Sequence, residues 1–293
     1  MKSKMVKAFV FMLGMQLMNA DLRDLKARQI DDFCLRFKTL LVDIREMHRS
    51  PAEARVEFQE IMKGLKGVYA AMLFDSNNVN LVFPMRLLDF RRVGGVNGNG
   101  YLPKGFDLFD QKKKGSHPAQ DIFLRDANAD AVDDRLGVPI ELVAVSDGLV
   151  IAVEQNWQAE SEYRGGNYAW VYDYKTQGLW YYAHASKICV QPGDEVQAGD
   201  EIGITGRTGF NAAKLRSETH LHLMYLKITD DFSPKPMNTY TWLKKAKTAT
   251  KIYEKLPPSR QLSIDVPAPL LPRIYAVPLF PYLEKVLLPI RLG

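Results

Sequence analysis

The sequence is poor in cysteine and in long apolar runs, and both shortages limit what it can be. Two cysteines, Cys34 and Cys189, among 293 residues are too few for a disulfide framework. Pairing in an oxidising compartment is the alternative interpretation, and we expect both to be free, buried thiols. Beyond residue 20 no apolar run is long enough to cross a bilayer, so we expect no membrane span in the mature chain.

The chain also has little excess charge. Its formal net charge is +5, and removal of the three lysines within residues 1–20 would lower it to +2. Nucleic-acid-binding domains usually carry a much stronger basic surface. We therefore expect no nucleic-acid partner.

The first 20 residues have the pattern of a secretory signal peptide. Lys2, Lys4 and Lys7 accompany a short apolar stretch over residues 8–14, and a small residue, Ala20, ends the segment. A buried N-terminal helix is the alternative interpretation. The signal-peptide interpretation predicts that the mature chain is exported to the periplasm or the extracellular space.

The remaining chain divides into three predicted parts. Residues 21–78 have apolar residues at helical spacing, interrupted at Ser50-Pro51, which predicts a helical hairpin. Short apolar runs separated by glycine-aspartate turns predict an antiparallel β-sandwich or barrel within residues 79–232. Residues 233–293 form a proline-rich tail. The fold class is therefore mainly β with an N-terminal α-helical hairpin, α+β overall.

Four of the five histidines fall in the β region, where they suggest metal chemistry. Alternation along the strand Thr219-His-Leu-His puts His220 and His222 on one face, where they share a cation or divide metal binding and catalysis between them. His117 and Asp121 provide a nitrogen and an oxygen suited to Zn²⁺. With a third ligand, such as His222, they leave a fourth tetrahedral position for water.

The order of motifs over residues 94–229 resembles the lysostaphin-type zinc peptidases. His117-x-x-x-Asp121 is followed by Tyr-x-x-His184, by Pro-Gly-Asp and Gly-x-Thr-Gly turns, and by His220-Leu-His222. The resemblance implies that His117, Asp121 and His222 bind zinc and that His184 and His220 are catalytic. It further implies an endopeptidase acting on peptidoglycan peptides. The sequence departs from the family where Ser217-Glu-Thr219 replaces a Gly/Ser-Pro pair and where Ala185 follows His184.

A non-catalytic module that regulates a separate cell-wall hydrolase is the alternative function. Degenerate members of the family act in this way after losing metal ligands, whereas this sequence keeps every ionisable position of the family site. The helical region 21–78 would then be an interaction element.

An acidic segment directly after Asp121 is a second candidate metal site. Its alternating oxygen ligands resemble those of a Ca²⁺ loop, although the glycine and the distal glutamate of an EF-hand are missing. A solvated acidic loop is the alternative interpretation. The candidate calcium ligands are Asp126, Asn128, Asp130, Asp133 and Asp134.

Overall fold

The computed structural model describes residues 2–70, 80–110, 112 and 115–250, with side chains described from residue 21 onward. Most of the predicted proline-rich tail therefore lies outside the described residues. The elements in chain order are α1 (Lys2–Arg45), α2 (Pro51–Val68), a 3₁₀ turn (Phe90–Arg92), β1 (Ala119–Phe123), β2 (Val132–Asp133), β3 (Val138–Pro139), β4 (Glu141–Val143), β5 (Gly148–Glu154), β6 (Asn167–Asp173), β7 (Gly178–Ile188), β8 (Glu195–Val196), β9 (Glu201–Thr205), β10 (His220–Ile228), β11 (Pro234–Pro236) and α3 (Tyr240–Lys245).

Helices α1 and α2 form the predicted hairpin. Ser50 caps α2: its hydroxyl accepts a hydrogen bond from the Glu53 amide, and the Glu53 carboxylate accepts one from the Ser50 amide. Pro51 occupies the first turn, where its missing N–H leaves no bond unmade. Helix α1 continues through residues 20 and 21, and the signal peptide stays a prediction. Within the described part of the chain, no helix has the length and apolarity that a membrane crossing requires.

The strands form an antiparallel sheet, as predicted. Its main path runs β1-β10-β7-β6-β5-β8; β11 extends the sheet beside β10, and β9 joins β7 to β4. Strands β2 and β3 make a separate two-stranded ribbon. Pro234 and Pro236 lie in β11, a short strand that pairs with β10 alone, a position where proline's missing N–H is tolerated.

Strand β10 separates two apolar cores. Leu221, Leu223 and Tyr225 belong to the core shared with β4 and β9. Met224 and Leu226 point to the opposite face and pack in the core that contains both helices of the hairpin. Because side chains alternate along a strand, His220 and His222 lie on the same face as Met224 and Leu226. The hairpin and the histidine pair therefore lie side by side on one face of the sheet.

Both cysteines have free thiols, as predicted, but only Cys34 is buried. The expected burial of Cys189 is wrong. Strand β7 ends at Ile188, and the side chain that follows it is exposed.

Phe58 is expected to be the main contact by which α2 stabilises the domain. Its side chain is fully buried, with ring centroids 6.2 Å from Phe37 and 5.4 Å from Phe109. Phe58→Ala should lower the free energy of unfolding by about 3–5 kcal/mol, measured by urea denaturation. Val56→Ala on the exposed side of the same helix should change it by less than about 0.5 kcal/mol. Equal effects of the two substitutions would contradict the packing described.

Candidate metal centre

Two antiparallel strands and one loop bring the predicted zinc ligands together. The register of β1 with β10 puts Asp121 directly opposite His222. His117 precedes β1 and is held by an isolated bridge, in which its amide and carbonyl both bond to Leu102 at 2.7 Å. The backbone of Leu102 therefore fixes the position of His117 beside β1.

The three ligand atoms lie at distances that suit one small cation. The Nε2 atom of His117 lies 3.2 Å from Asp121 Oδ1 and 3.2 Å from His222 Nδ1, and the last two atoms are 3.0 Å apart. Ligands at about 2.0–2.1 Å from a tetrahedral zinc ion would be about 3.3 Å from one another. Among the described residues, this His-Asp-His cluster is the group whose donor atoms converge in this way.

Hydrogen bonds prepare the ligands for a cation. The Nδ1–H of His117 donates to the Gly100 carbonyl at 2.8 Å, which directs Nε2 toward the cluster. Burial alone would raise the pKa of Asp121, but hydrogen bonds from His117 and His222 hold it below its ordinary value. The hydrogen bond with Asp121 in turn raises the pKa of His117. The carboxylate is thus ionised and carries the site's negative charge.

His184 and His220, the two predicted catalytic residues, lie next to this cluster. Their ring centroids are 4.9 Å apart, and His184 is 5.7 Å from His222. The Nδ1–H of His184 donates to the Thr208 carbonyl at 2.8 Å, and that of His220 donates to the Glu218 carbonyl at 2.7 Å. Both rings therefore keep an Nε2 lone pair free, and Nε2 of His220 is 3.8 Å from Asp121 Oδ1.

Burial keeps this histidine pair neutral. Only 8% of the surface of His184 and 9% of that of His220 is exposed. Burial lowers the pKa of His184 to about 3, with further lowering by the neighbouring imidazoles. Burial also lowers the pKa of His220, against the opposing charge of Asp121. At neutral pH both rings therefore carry an unprotonated Nε2.

A β-bulge directs His184 into the site. Tyr182 pairs with Ala169 and Ala185 pairs with Asn167, so two residues of β7 face a single residue of β6. His184 has φ +70°, a left-handed conformation that is uncommon outside glycine and is found at functional sites. Its amide donates to the Gly165 carbonyl at 3.1 Å. Strand β7 continues beyond this bulge to Ile188.

The acidic segment uses its oxygens within the protein. Asp126 accepts hydrogen bonds from the amides of residues 130 and 131, and Asp134 accepts one from the Ala127 amide. Asp130 accepts from Asn128 and from the Val132 amide. Asp133 is fully buried and pairs with Arg92 at 3.2 Å. These carboxylates give no support to a calcium site, because backbone and arginine donors occupy the oxygens that a cation would need.

Two consecutive tyrosines near the site, Tyr181 and Tyr182, lie on opposite faces of β7. Tyr182 is fully buried, and its hydroxyl accepts from the Val145 amide at 2.9 Å, so it belongs to the core. Tyr181, whose ring centroid lies 6.2 Å from that of His222, was not predicted from the sequence to lie at the site. Since Tyr181 pairs with Met224, it shares the face of the two strand histidines. Once the pairing of β7 with β10 is known, the alternation of side chains along β10 from His222 to Met224 identifies Tyr181 as a residue of this face.

Two imidazoles and a carboxylate beside a pair of neutral histidines are a ligand set of the kind that metal-dependent hydrolases use. Residues 132–234 match the model of Peptidase family M23. The match includes His184, His220 and His222. It begins after His117 and Asp121, which the structure adds to the same site.

Relatives of this domain are bacterial peptidases. The glycyl-glycine endopeptidase ALE-1 of Staphylococcus capitis is 31% identical over 136 residues, which is 46% of this chain and 30% of that protein. Lysostaphin of Staphylococcus staphylolyticus is 34% identical over 136 residues, 46% of this chain and 22% of that protein. The chain thus matches less than a third of either relative. The catalytic domain of lysostaphin from Staphylococcus simulans aligns at 24% identity and a TM-score of 0.33, over 53% of this chain and 95% of that domain.

Proposed function

We propose that this protein is an exported, zinc-dependent endopeptidase that hydrolyses peptide bonds of bacterial peptidoglycan. The convergence of the His117, Asp121 and His222 donor atoms within 4.8 Å of one another carries the proposal. The match to Peptidase family M23 and the names of the two staphylococcal relatives support the choice of peptide bonds. The basic and apolar pattern of residues 1–20 supports export, which a cell-wall substrate requires.

The donor set and its spacing fit zinc. His117 Nε2, Asp121 Oδ1 and His222 Nδ1 would hold the ion, since two imidazoles and one carboxylate are common ligands of catalytic zinc. Zinc in such a site supplies Lewis acidity, which polarises a scissile carbonyl and lowers the pKa of water toward about 7.

His184 and His220 supply the proton transfers. Each ring has its Nδ1–H held by a backbone carbonyl, so Nε2 is the atom that meets the reactants. We assign to this pair the acceptance of a proton from the attacking water and its delivery to the leaving amine nitrogen. In its protonated form, either ring also donates a hydrogen bond to the carbonyl oxygen as negative charge develops there.

Tyr181 is proposed to contact the substrate. It lies beside His222 on the same face of the sheet, next to Tyr168 at a ring-centroid distance of 5.4 Å. Helix α1 borders these two tyrosines, because Nζ of Lys38 lies 5.5 Å from the centroid of the Tyr168 ring. A peptide that crosses the metal site would therefore meet aromatic side chains between the histidines and the hairpin.

Zinc content and wall hydrolysis measured on one preparation test this function. The purified mature chain should contain about one zinc per molecule and release new amino groups from purified peptidoglycan. Walls with and without glycine cross-bridges should both be assayed, and His48→Ala, which removes an exposed imidazole remote from the site, should behave as the wild type. Stoichiometric zinc without new amino groups from any wall would instead support the regulatory module.

A further inference from the structure

The residue before His220 is held by a network of three side chains. Thr219 is only 1% exposed. Its hydroxyl donates to Asp126 Oδ2 at 2.5 Å and accepts from Arg207 Nη1 at 2.6 Å. Its carbonyl oxygen accepts from the Leu124 amide at 2.9 Å. Both the backbone and the side chain of Thr219 are therefore anchored.

Arg207 extends this network across the loop that leads to His220. Its Nη2 atom donates to the carbonyls of Lys214 and Ser217 at 3.0 and 2.8 Å. The adjacent residue, Thr208, provides the carbonyl that accepts from His184. Arg207 and Thr208, which follow β9, thus hold the loop before His220 and the ring of His184.

The network has a direct connection to the His220 ring. The Nδ1–H of His220 donates to the Glu218 carbonyl, which belongs to the peptide unit shared with Thr219. Because that unit is planar, a rotation about the bonds of Thr219 moves this carbonyl away from the imidazole. Anchoring Thr219 therefore holds the Glu218 carbonyl in the position where it accepts from Nδ1–H of His220 and selects that tautomer.

We propose that Thr219 is a positioning residue for His220 and that Arg207 and Asp126 act through its hydroxyl. The catalytic consequence rests on the proposed endopeptidase function. The network also gives the acidic segment a role in place of calcium binding. Asp126 is itself held by the amides of residues 130 and 131, so it presents a rigid acceptor to Thr219.

Matched threonine substitutions test this role. Thr219→Val keeps the shape and removes the hydroxyl, and it should lower kcat on a soluble peptidoglycan fragment by about 10–100-fold. KM should stay within about twofold and zinc content should not change, because the interaction acts on proton transfer and not on substrate binding. Thr219→Ser, which restores the hydroxyl, should return kcat to within about threefold of the wild type.

Thr239→Val is the control for burial. Thr239 is also 1% exposed, and its hydroxyl has no hydrogen-bond partner in the described part of the chain. This variant should retain the wild-type kcat. If Thr219→Val does not fold, Asp126→Asn provides a weaker form of the same change, with a smaller loss of kcat expected. Wild-type kcat in the soluble Thr219 or Asp126 variant, or an equal loss in Thr219→Ser, would overturn the proposal.

The imidazole tautomer gives a readout that does not depend on turnover. In ¹⁵N NMR spectra of the zinc-loaded wild type, His220 should be protonated at Nδ1. Thr219→Val should show loss of this Nδ1–H signal or admixture of the other tautomer, and an unchanged spectrum would overturn the positioning role. An inactive wild type would contradict the endopeptidase function, while the tautomer spectra would still decide the role of Thr219.

Discussion

The His222→Ala variant is expected to lose its zinc and to cleave peptidoglycan at least about a thousandfold more slowly than the wild type. His222 Nδ1 lies 3.0 Å from Asp121 Oδ1 and 3.2 Å from His117 Nε2, so its removal leaves two ligands in place of three. Metal content by mass spectrometry and release of amino groups measure the two effects. A chelator should reduce the wild type to the same rate, and added zinc should restore the wild type only.

His220→Ala is the matched control for this prediction. His220 is two positions away on β10 and on the same face, but its free Nε2 is 3.8 Å from Asp121 and its Nδ1 is bonded to a backbone carbonyl. Its alanine variant should keep about one zinc per chain and lose turnover. Zinc loss in His220→Ala with retention in His222→Ala would reverse the assignment of ligand and catalytic residue.

Local sequence patterns predicted the strands and helices that carry the site. They did not predict which of these elements pair with one another. Alternation alone put His220 and His222 on one face, and the Ser50-Pro51 break predicted the hairpin and the start of α2. The meeting of His117 with His222, 105 positions apart, depends on the pairing of β1 with β10. No spacing rule predicts that pairing, and only the family resemblance indicated it.

The acidic segment shows why a ligand pattern can mislead. Oxygens at Asp126, Asn128 and Asp130 have the spacing of a calcium loop, but the same spacing lets them accept backbone amides in tight turns. Ala129 and Ala131 have positive φ values, which bring those amides to the carboxylates. Sequence spacing does not distinguish the two uses, because both require oxygens at short intervals along a turning chain.

The bulge at His184 could not be predicted, because the local sequence contains no signal for it. A residue with φ +70° is usually glycine or asparagine, and Ala183-His184-Ala185 contains no such signal. Contacts distant in sequence impose the conformation: the Gly165 carbonyl holds the His184 amide, and the Thr208 carbonyl holds its ring. Close approach also requires glycine at position 209, where a Cβ atom would lie 2.9 Å from His184 Nδ1.

Because His184 combines an uncommon backbone conformation with a proposed catalytic ring, two substitutions there should separate the contributions. His184→Ala and His184→Gly should both keep zinc, and both should lower kcat by about 10²–10⁴-fold through loss of the proton acceptor. Glycine adopts φ +70° without strain, whereas alanine does not. The glycine variant should therefore be more stable than the alanine variant by about 1 kcal/mol in urea denaturation.

The two readouts at position 184 depend on different parts of the residue. Zinc loss in either variant would mean that His184 is a metal ligand. Two observations argue against that role: the hydrogen bond from Nδ1 to the Thr208 carbonyl, and the 5.7 Å distance between the ring centroids of His184 and His222. Full activity in either would remove His184 from the proton-transfer pair and leave His220 as the acceptor. A glycine variant less stable than the alanine variant would show that the bulge is not strained. The backbone would then direct the ring into the site without opposing its own conformational preference.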